Sequence, residues 1–171
     1  YINHYIKIGK FISDTEISYN DIVTGNLFEQ LENGLDILKK KYLVSNIKYV
    51  GIHRRDILEY PEDALREAII NALIHRDYLG TAPIQIRVYN DKLIIMNEGK
   101  LPPEVPLSKL KEPHFSKPGN RLLAEIFYKA GFIESWGRGT LKIIELCLDA
   151  GLKPPEFYEE TGVISIKFHR A

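Results

Sequence analysis

Residues 61–76, Pro-Glu-Asp-Ala-Leu-Arg-Glu-Ala-Ile-Ile-Asn-Ala-Leu-Ile-His-Arg, constrain the fold most. Ala64, Leu65, Ala68, Ile69, Ile70, Ala72, Leu73 and Ile74 make a helix here apolar almost all the way round, and such a helix is buried. Pro61 is tolerated at its start, and Glu62 and Asp63 suit its first turn. Yet Glu67, Asn71 and His75 recur every four residues, so they rise along one narrow stripe of that buried helix. A buried carboxylate and amide must be paired, or must face a wet cavity or a ligand. In one reading Glu67 and Asn71 satisfy backbone or Arg partners in the core. In the other they face a cavity, where Asn71 offers its oxygen to a metal ion and Glu67 orients a water.

The flanking patterns place this helix in an alternating α/β chain. Residues 5–12 and 16–24 read as short strands, a connector from an upstream part. Phe28, Leu31, Leu35, Leu38 and Tyr42 mark a helix from Asn26 to about Lys41, opened by an Asn26/Glu29 cap pair. Lys39 to Lys41 suit its negative pole and read as a solvated end. Two strands follow, at about 43–52 and 55–59. Ile84 to Val88 and Lys92 to Asn97 form a hairpin around Asn90-Asp91. Residues 98–118 hold five prolines and read as a long loop with one helical turn near Leu107 to Leu110. Asn120 caps a helix closed by Gly131, another helix runs from near Arg138 to Gly151, and the tail turns at Thr161-Gly162 into a last hairpin.

Composition removes several function classes. Length suits one domain with room for an extra element or two. Lys plus Arg number 23 and Asp plus Glu 23, so no overall field draws the chain to nucleic acid or an anionic membrane. The single cysteine, Cys147, excludes an internal disulfide framework and a multi-cysteine metal site, and permits a cytoplasmic location. The longest apolar run is far below the ~20 residues of a membrane helix. Because the chain begins at Tyr1 without an initiator Met, it reads as a piece of a longer protein. His75-Arg76-Asp77 spells a kinase tripeptide without the other kinase motifs, and reads as a helix end with His75 in a pocket wall or the core. No G-x-x-x-x-G-K-[ST] loop supports a helicase motor. Arg54, Arg55, Lys109, Lys111 and Lys117 read as solvated surface, and Trp136 as a packing anchor.

Two glycine motifs remain. Asn97-Glu98-Gly99 follows a strand, where glycine makes a turn or lets a ligand approach the backbone. Gly137-Arg138-Gly139-Thr140 runs into a helix, a plain turn or an exposure of free N–H groups suited to phosphate.

The order of these parts, with the stretches EAIINALIHRDY, NEGKLP and AGFIESWGRGT, resembles the GHKL group of ATP-binding proteins, which includes DNA gyrase B, histidine kinases and MutL. More closely, residues 60–169 resemble the C-terminal domain of bacterial proteins labelled RecG-like ATP-dependent DNA helicases or transcriptional regulators. The resemblance implies an α/β (α+β) two-layer sandwich of Bergerat type, a mixed, mainly antiparallel sheet with helices on one face. Residues 60–171 would form the ATP-binding domain. Residues 1–59 would be connector strands and a helix packing on it or linking to it.

By the same resemblance Glu67 is the general base and Asn71 the Mg²⁺ ligand. Asn97 and Gly99 belong to the adenine box, residues 100–118 to a lid, and Gly137, Gly139 and Thr140 to the phosphate box. Asn120 matches an Asn of the family, although Gly119 and Arg121 flank it here. Asn97 replaces the usual Asp, so a neutral acceptor meets the adenine amine. The distant lysine of gyrase-type enzymes has no counterpart before Ala171, so turnover could be slow or absent. The implied ligands are ATP and Mg²⁺. The implied partners are DNA through a Schlafen/AlbA-like domain ahead of Tyr1 and, in some settings, a second copy as a homodimer, with no membrane. The alternative is a regulatory or dimerisation module that keeps the fold with a degenerate nucleotide site.

Overall fold

In the computed structural model, residues 4–114, 120–133 and 138–171 are described. Eight strands form two sheets: β1 (Ile6–Phe11), β2 (Ile17–Val23), β5 (Ile84–Val88), β6 (Lys92–Glu98), β7 (Glu156–Glu160) and β8 (Val163–His169) in one, and β3 (Ser45–Val50) with β4 (His53–Leu58) in the other. The larger sheet has the order β2-β1-β5-β6-β8-β7. Only β1 and β5 run parallel; the other neighbours are antiparallel. Side-chain alternation along β1, β5, β6 and β8 commits one face of the larger sheet to the core. Ile8, Ile86, Ile95, Ile166 and Phe157 form one row across five strands of that face.

Four helices accompany the sheet: α1 (Leu27–Ile37), α2 (Glu62–His75), α3 (Arg121–Lys129) and α4 (Gly139–Asp149). The central one is α2, which packs against α1, α4 and β6, and its apolar girdle is buried throughout. This is the mixed, mainly antiparallel α+β sandwich expected from the sequence. One apolar cluster joins Ile6 and Ile8 of β1 to Leu31 of α1, Leu73 of α2, Ile143 of α4 and Phe168 of β8. Thus β1 and α1 share the core of the later residues, and β1 is stitched between β2 and β5.

Local signals set most boundaries. The Asn26/Glu29 capping box is formed in both directions, with Glu29 N–H donating to Asn26 Oδ1 at 2.9 Å and Asn26 N–H to Glu29 Oε2 at 2.8 Å. Gly131 and Gly151 end α3 and α4 at φ 79° and 76°. The expected single helix from Asn26 to Lys41 differs: α1 stops at Ile37 and a π-helical turn covers Leu38–Tyr42. Leu43 N–H reaches back to Leu38 O, and the wider turn aims both Leu38 and Tyr42 inward. Tyr42 then donates to Asp21 Oδ2 at 2.6 Å. The lysines of this end stay at the surface and pair there with carboxylates, Lys39 with Glu62 at 2.8 Å and Lys41 with Asp21 at 2.7 Å. Among the described residues, no helix is long and apolar enough to cross a membrane.

Candidate functional site

A cleft enclosing about 1090 Å³ of atom-free space, its open mouth included, lies between α2, the inner face of β6 and β8, and the start of α4. The stripe on α2 lines it in full: Glu67, Asn71 and His75 all face this space. Four-residue spacing on a helix explains the alignment. Glu67 is only 8% exposed, whereas Asn71 makes no side-chain hydrogen bond to any described residue. The cavity reading of the stripe therefore describes Asn71, and the core-partner reading does not. His75 is also a wall residue, and burial pushes its imidazole below the ordinary histidine value, keeping it neutral at pH 7.

Asn97 comes from the alternation Leu93, Ile95, Asn97 on the buried face of β6, and it is 6% exposed. Its Nδ2 donates to Glu98 O at 3.0 Å. That bond fixes the amide's orientation, and Oδ1 stands as an acceptor with no donor among the described residues. Ile164 of β8 pairs with Asn97 in the sheet and lines the same cleft.

The start of α4 closes the third side. A Cβ at Gly139 would stand 2.5 Å from Glu67 Oε1 and 3.6 Å from Asn71 Nδ2, so the bare backbone allows this helix end to touch the stripe. The first N–H groups of a helix lack intrahelical partners and sit at its positive pole. Thr140 Oγ1, one residue on, is buried with no hydrogen-bond partner. The Asn71 amide and the Asn97 oxygen are open to one space, among whose lining residues Thr140 also stands. No group of three or more His, Cys, Asp or Glu among the described residues is arranged to hold a metal. One oxygen from Asn71 fits Mg²⁺, which commonly takes one or two protein ligands and completes its shell with substrate phosphates and water.

Two expected residues stand elsewhere. Gly99 does not line the cleft; at φ 153° it brings the chain after β6 against the end of α2, where a Cβ would lie 2.7 Å from His75 O. Asn120 is also outside it, because its Oδ1 accepts Leu123 N–H at 3.1 Å and caps α3. Gly137 lies outside the described residues, as do Trp136 and Lys117. The segment expected to form a lid contributes lining residues: Val105 and Leu110 line the cleft and are each 6% exposed, around the 3-10 turn Leu107–Lys109. Sequence reasoning missed Phe157, Ile164 and Ile166, which line the cleft from the last hairpin. Their alternation marks a buried face, but only the pairing of β8 with β6 brings that face here.

The family model HATPase_c_4, described as "Putative ATP-dependent DNA helicase recG C-terminal", matches residues 81–168, just over half of the chain. The match begins beyond α2 and runs from β5 into β8. Among solved structures, the DIP2311 protein of Corynebacterium diphtheriae is similar over 99% of this chain, with a TM-score of 0.83 and 22% identity. The likeness is one of fold, and this chain spans 35% of that protein's chain. No curated protein matches the sequence.

Proposed function

The chain belongs to the RecG C-terminal family of ATPase-type domains, and from this premise and the cleft we propose that it binds Mg²⁺–ATP between α2 and α4 and hydrolyses it slowly. The carrying observation is the contact at Gly139, which sets a carboxylate, an amide and a helix N-terminus around one space. Glu67 accepts a hydrogen bond from the attacking water, holds it in line and takes its proton. Backbone N–H groups at Gly139 and Thr140, with the Thr140 hydroxyl, hold phosphate oxygens. Asn97 Oδ1 accepts from the exocyclic amine of adenine. Asn71 Oδ1 is the residue that would hold Mg²⁺, which when bound neutralises phosphate charge. The biological setting we propose is a DNA-associated transcriptional regulator in which nucleotide occupancy gates a DNA-binding domain outside this chain. The word helicase is not carried over, because these residues contain no Walker-type loop.

The test joins turnover to calorimetric titration with a non-hydrolysable ATP analogue and Mg²⁺. Glu67→Gln is expected to lower turnover by about 10²-fold or more, the usual scale for loss of a general base, while binding stays within a factor of two. Asn71→Ala is expected to weaken Mg²⁺–nucleotide binding. Unchanged turnover in Glu67→Gln rejects Glu67 as the base. The second reading, a regulatory or dimerisation module without nucleotide, is favoured by one observation, the neutral Asn97 in place of a carboxylate. Absence of any binding at millimolar analogue would select it.

A further inference from the structure

The β3–β4 ribbon stands away from the cleft, with every residue from Ser45 to Ile57 exposed. A lone two-stranded hairpin is marginally stable in water, yet this one carries Ile47, Tyr49, Val50, Ile52 and Ile57 in the open. The register sorts its side chains, because directly paired residues share a face. On one face Ile47 lies opposite Asp56 and Tyr49 opposite Arg54. Charge cancels there, since Arg54 Nε donates to Asp56 Oδ1 at 3.2 Å. On the other face Lys48 lies opposite Arg55, and Val50 opposite His53. Two like charges directly opposite cost a ribbon stability, and neither cation has a carboxylate partner among the described residues. The apolar side chains are thus divided between the faces, while the unbalanced charge is gathered on one. A protein-docking face concentrates apolar groups and depletes charge at its centre, the reverse of this pattern.

We propose that the β3–β4 ribbon is a nucleic-acid arm, whose Lys48–Arg55 face lies along the phosphates of a duplex while its tip enters a groove. A two-stranded ribbon is an element that a DNA groove admits. Residues 45–58 hold three cations and one carboxylate in a chain that is neutral as a whole, so the attraction is local to the arm. At the tip Gly51 takes φ 62° in a two-residue turn, and Ile52 protrudes with 92% of its surface exposed. Apolar tips of this kind serve as wedges between base steps. This contact is separate from the cleft and additional to any made by a neighbouring domain.

Fluorescence anisotropy of a short labelled DNA duplex, titrated with the whole chain over a series of salt concentrations, tests the arm. Binding is expected at low salt and is expected to weaken as salt rises. Lys48→Glu with Arg55→Glu should weaken it about tenfold or more and flatten the dependence of log K on log salt by about two, at ~0.9 for each lost phosphate contact. Lys48→Gln with Arg55→Gln relieves the like-charge pair, so it folds at least as well and must show a loss in the same direction. Lys40→Glu with Lys129→Glu changes net charge equally at exposed helix positions and should leave affinity within about twofold. The proposal is overturned by wild type that fails to bind the duplex, or by equal losses in the arm and control variants. It is overturned equally by stronger binding to anionic lipid vesicles than to DNA, or by arm variants that change only the oligomeric mass in light scattering.

Discussion

Glu67 and Asn71 can work as a pair only while nothing separates them from α4, which makes Gly139 the most informative single residue. A Cβ there meets the far end of the Glu67 side chain, 2.5 Å from Oε1, rather than backbone. A carboxylate arm can swing aside at little cost, so Gly139→Ala is expected to keep the fold while displacing Glu67. Turnover should fall at least as far as in Glu67→Gln, with the urea midpoint shifted little; a large loss of stability with normal turnover would contradict this. His75 makes a different claim, on pH. Its folded value is lowered by burial, so the unfolded chain binds the proton first as pH falls. Its stabilising contribution is full above the ordinary imidazole value of 6.5 and is lost as pH drops from there towards the folded value. His75→Gln should flatten that part of the stability–pH curve, measured by urea unfolding at successive pH values.

Between elements, the joint of β6 with α2 carries the cleft's geometry. Asp77 N–H donates to Glu98 O at 2.8 Å and Gly99 N–H to Gly162 O at 2.9 Å, so the end of α2 and the β7–β8 turn are both tied to one short segment. At Gly99 a side chain would meet the His75 carbonyl at 2.7 Å, and φ is 153°, a conformation closed to other residues. Gly99→Ala is therefore expected to cost about 1–3 kcal/mol, the scale of one strained backbone residue, read as a lowered urea midpoint. This is the opposite signature from Gly139→Ala, because backbone cannot give way as a side chain can. The same distinction between local and distant constraints explains what the sequence discloses. Caps and turns were legible because their partners are sequence neighbours: Asn26 with Glu29, Asn120 with Leu123, and Thr161-Gly162, both at positive φ. So was the stripe of Glu67, Asn71 and His75, which depends only on helical period. The placement of β8 beside β6, and of β1 beside β5, was not, because those pairings are chosen by burial of faces far apart in the chain. For that reason the Ile164 wall stayed hidden.

At the scale of the whole molecule the cleft is where separate parts of the core meet: α2 and α4, β6 and β8, and Val105 and Leu110 of the loop that follows β6. A ligand bound there touches all of them, and none of these contacts exists in the unfolded chain. Binding must then raise the unfolding temperature by linkage, about 2.7 kcal/mol at a ligand concentration of 100 Kd. For a domain of this length 1 kcal/mol corresponds to roughly 2–4 °C, so a shift of about 5–10 °C is expected with an ATP analogue and Mg²⁺. Asn71→Ala should lose most of the shift, whereas Lys48→Glu with Arg55→Glu should retain it, since the ribbon lies outside the cleft. GTP should give less, for a reason set by one hydrogen bond. Asn97 Nδ2 is held by Glu98 O, so the group left for the base of the proposed nucleotide is an oxygen. An adenine amine can donate to it, and the guanine carbonyl at the same ring position cannot. Equal shifts from ATP and GTP in scanning calorimetry would show that Asn97 does not read the base. A shift that survives in Asn71→Ala but disappears in Asn97→Leu would mean that the base end of the cleft holds the ligand without the metal end.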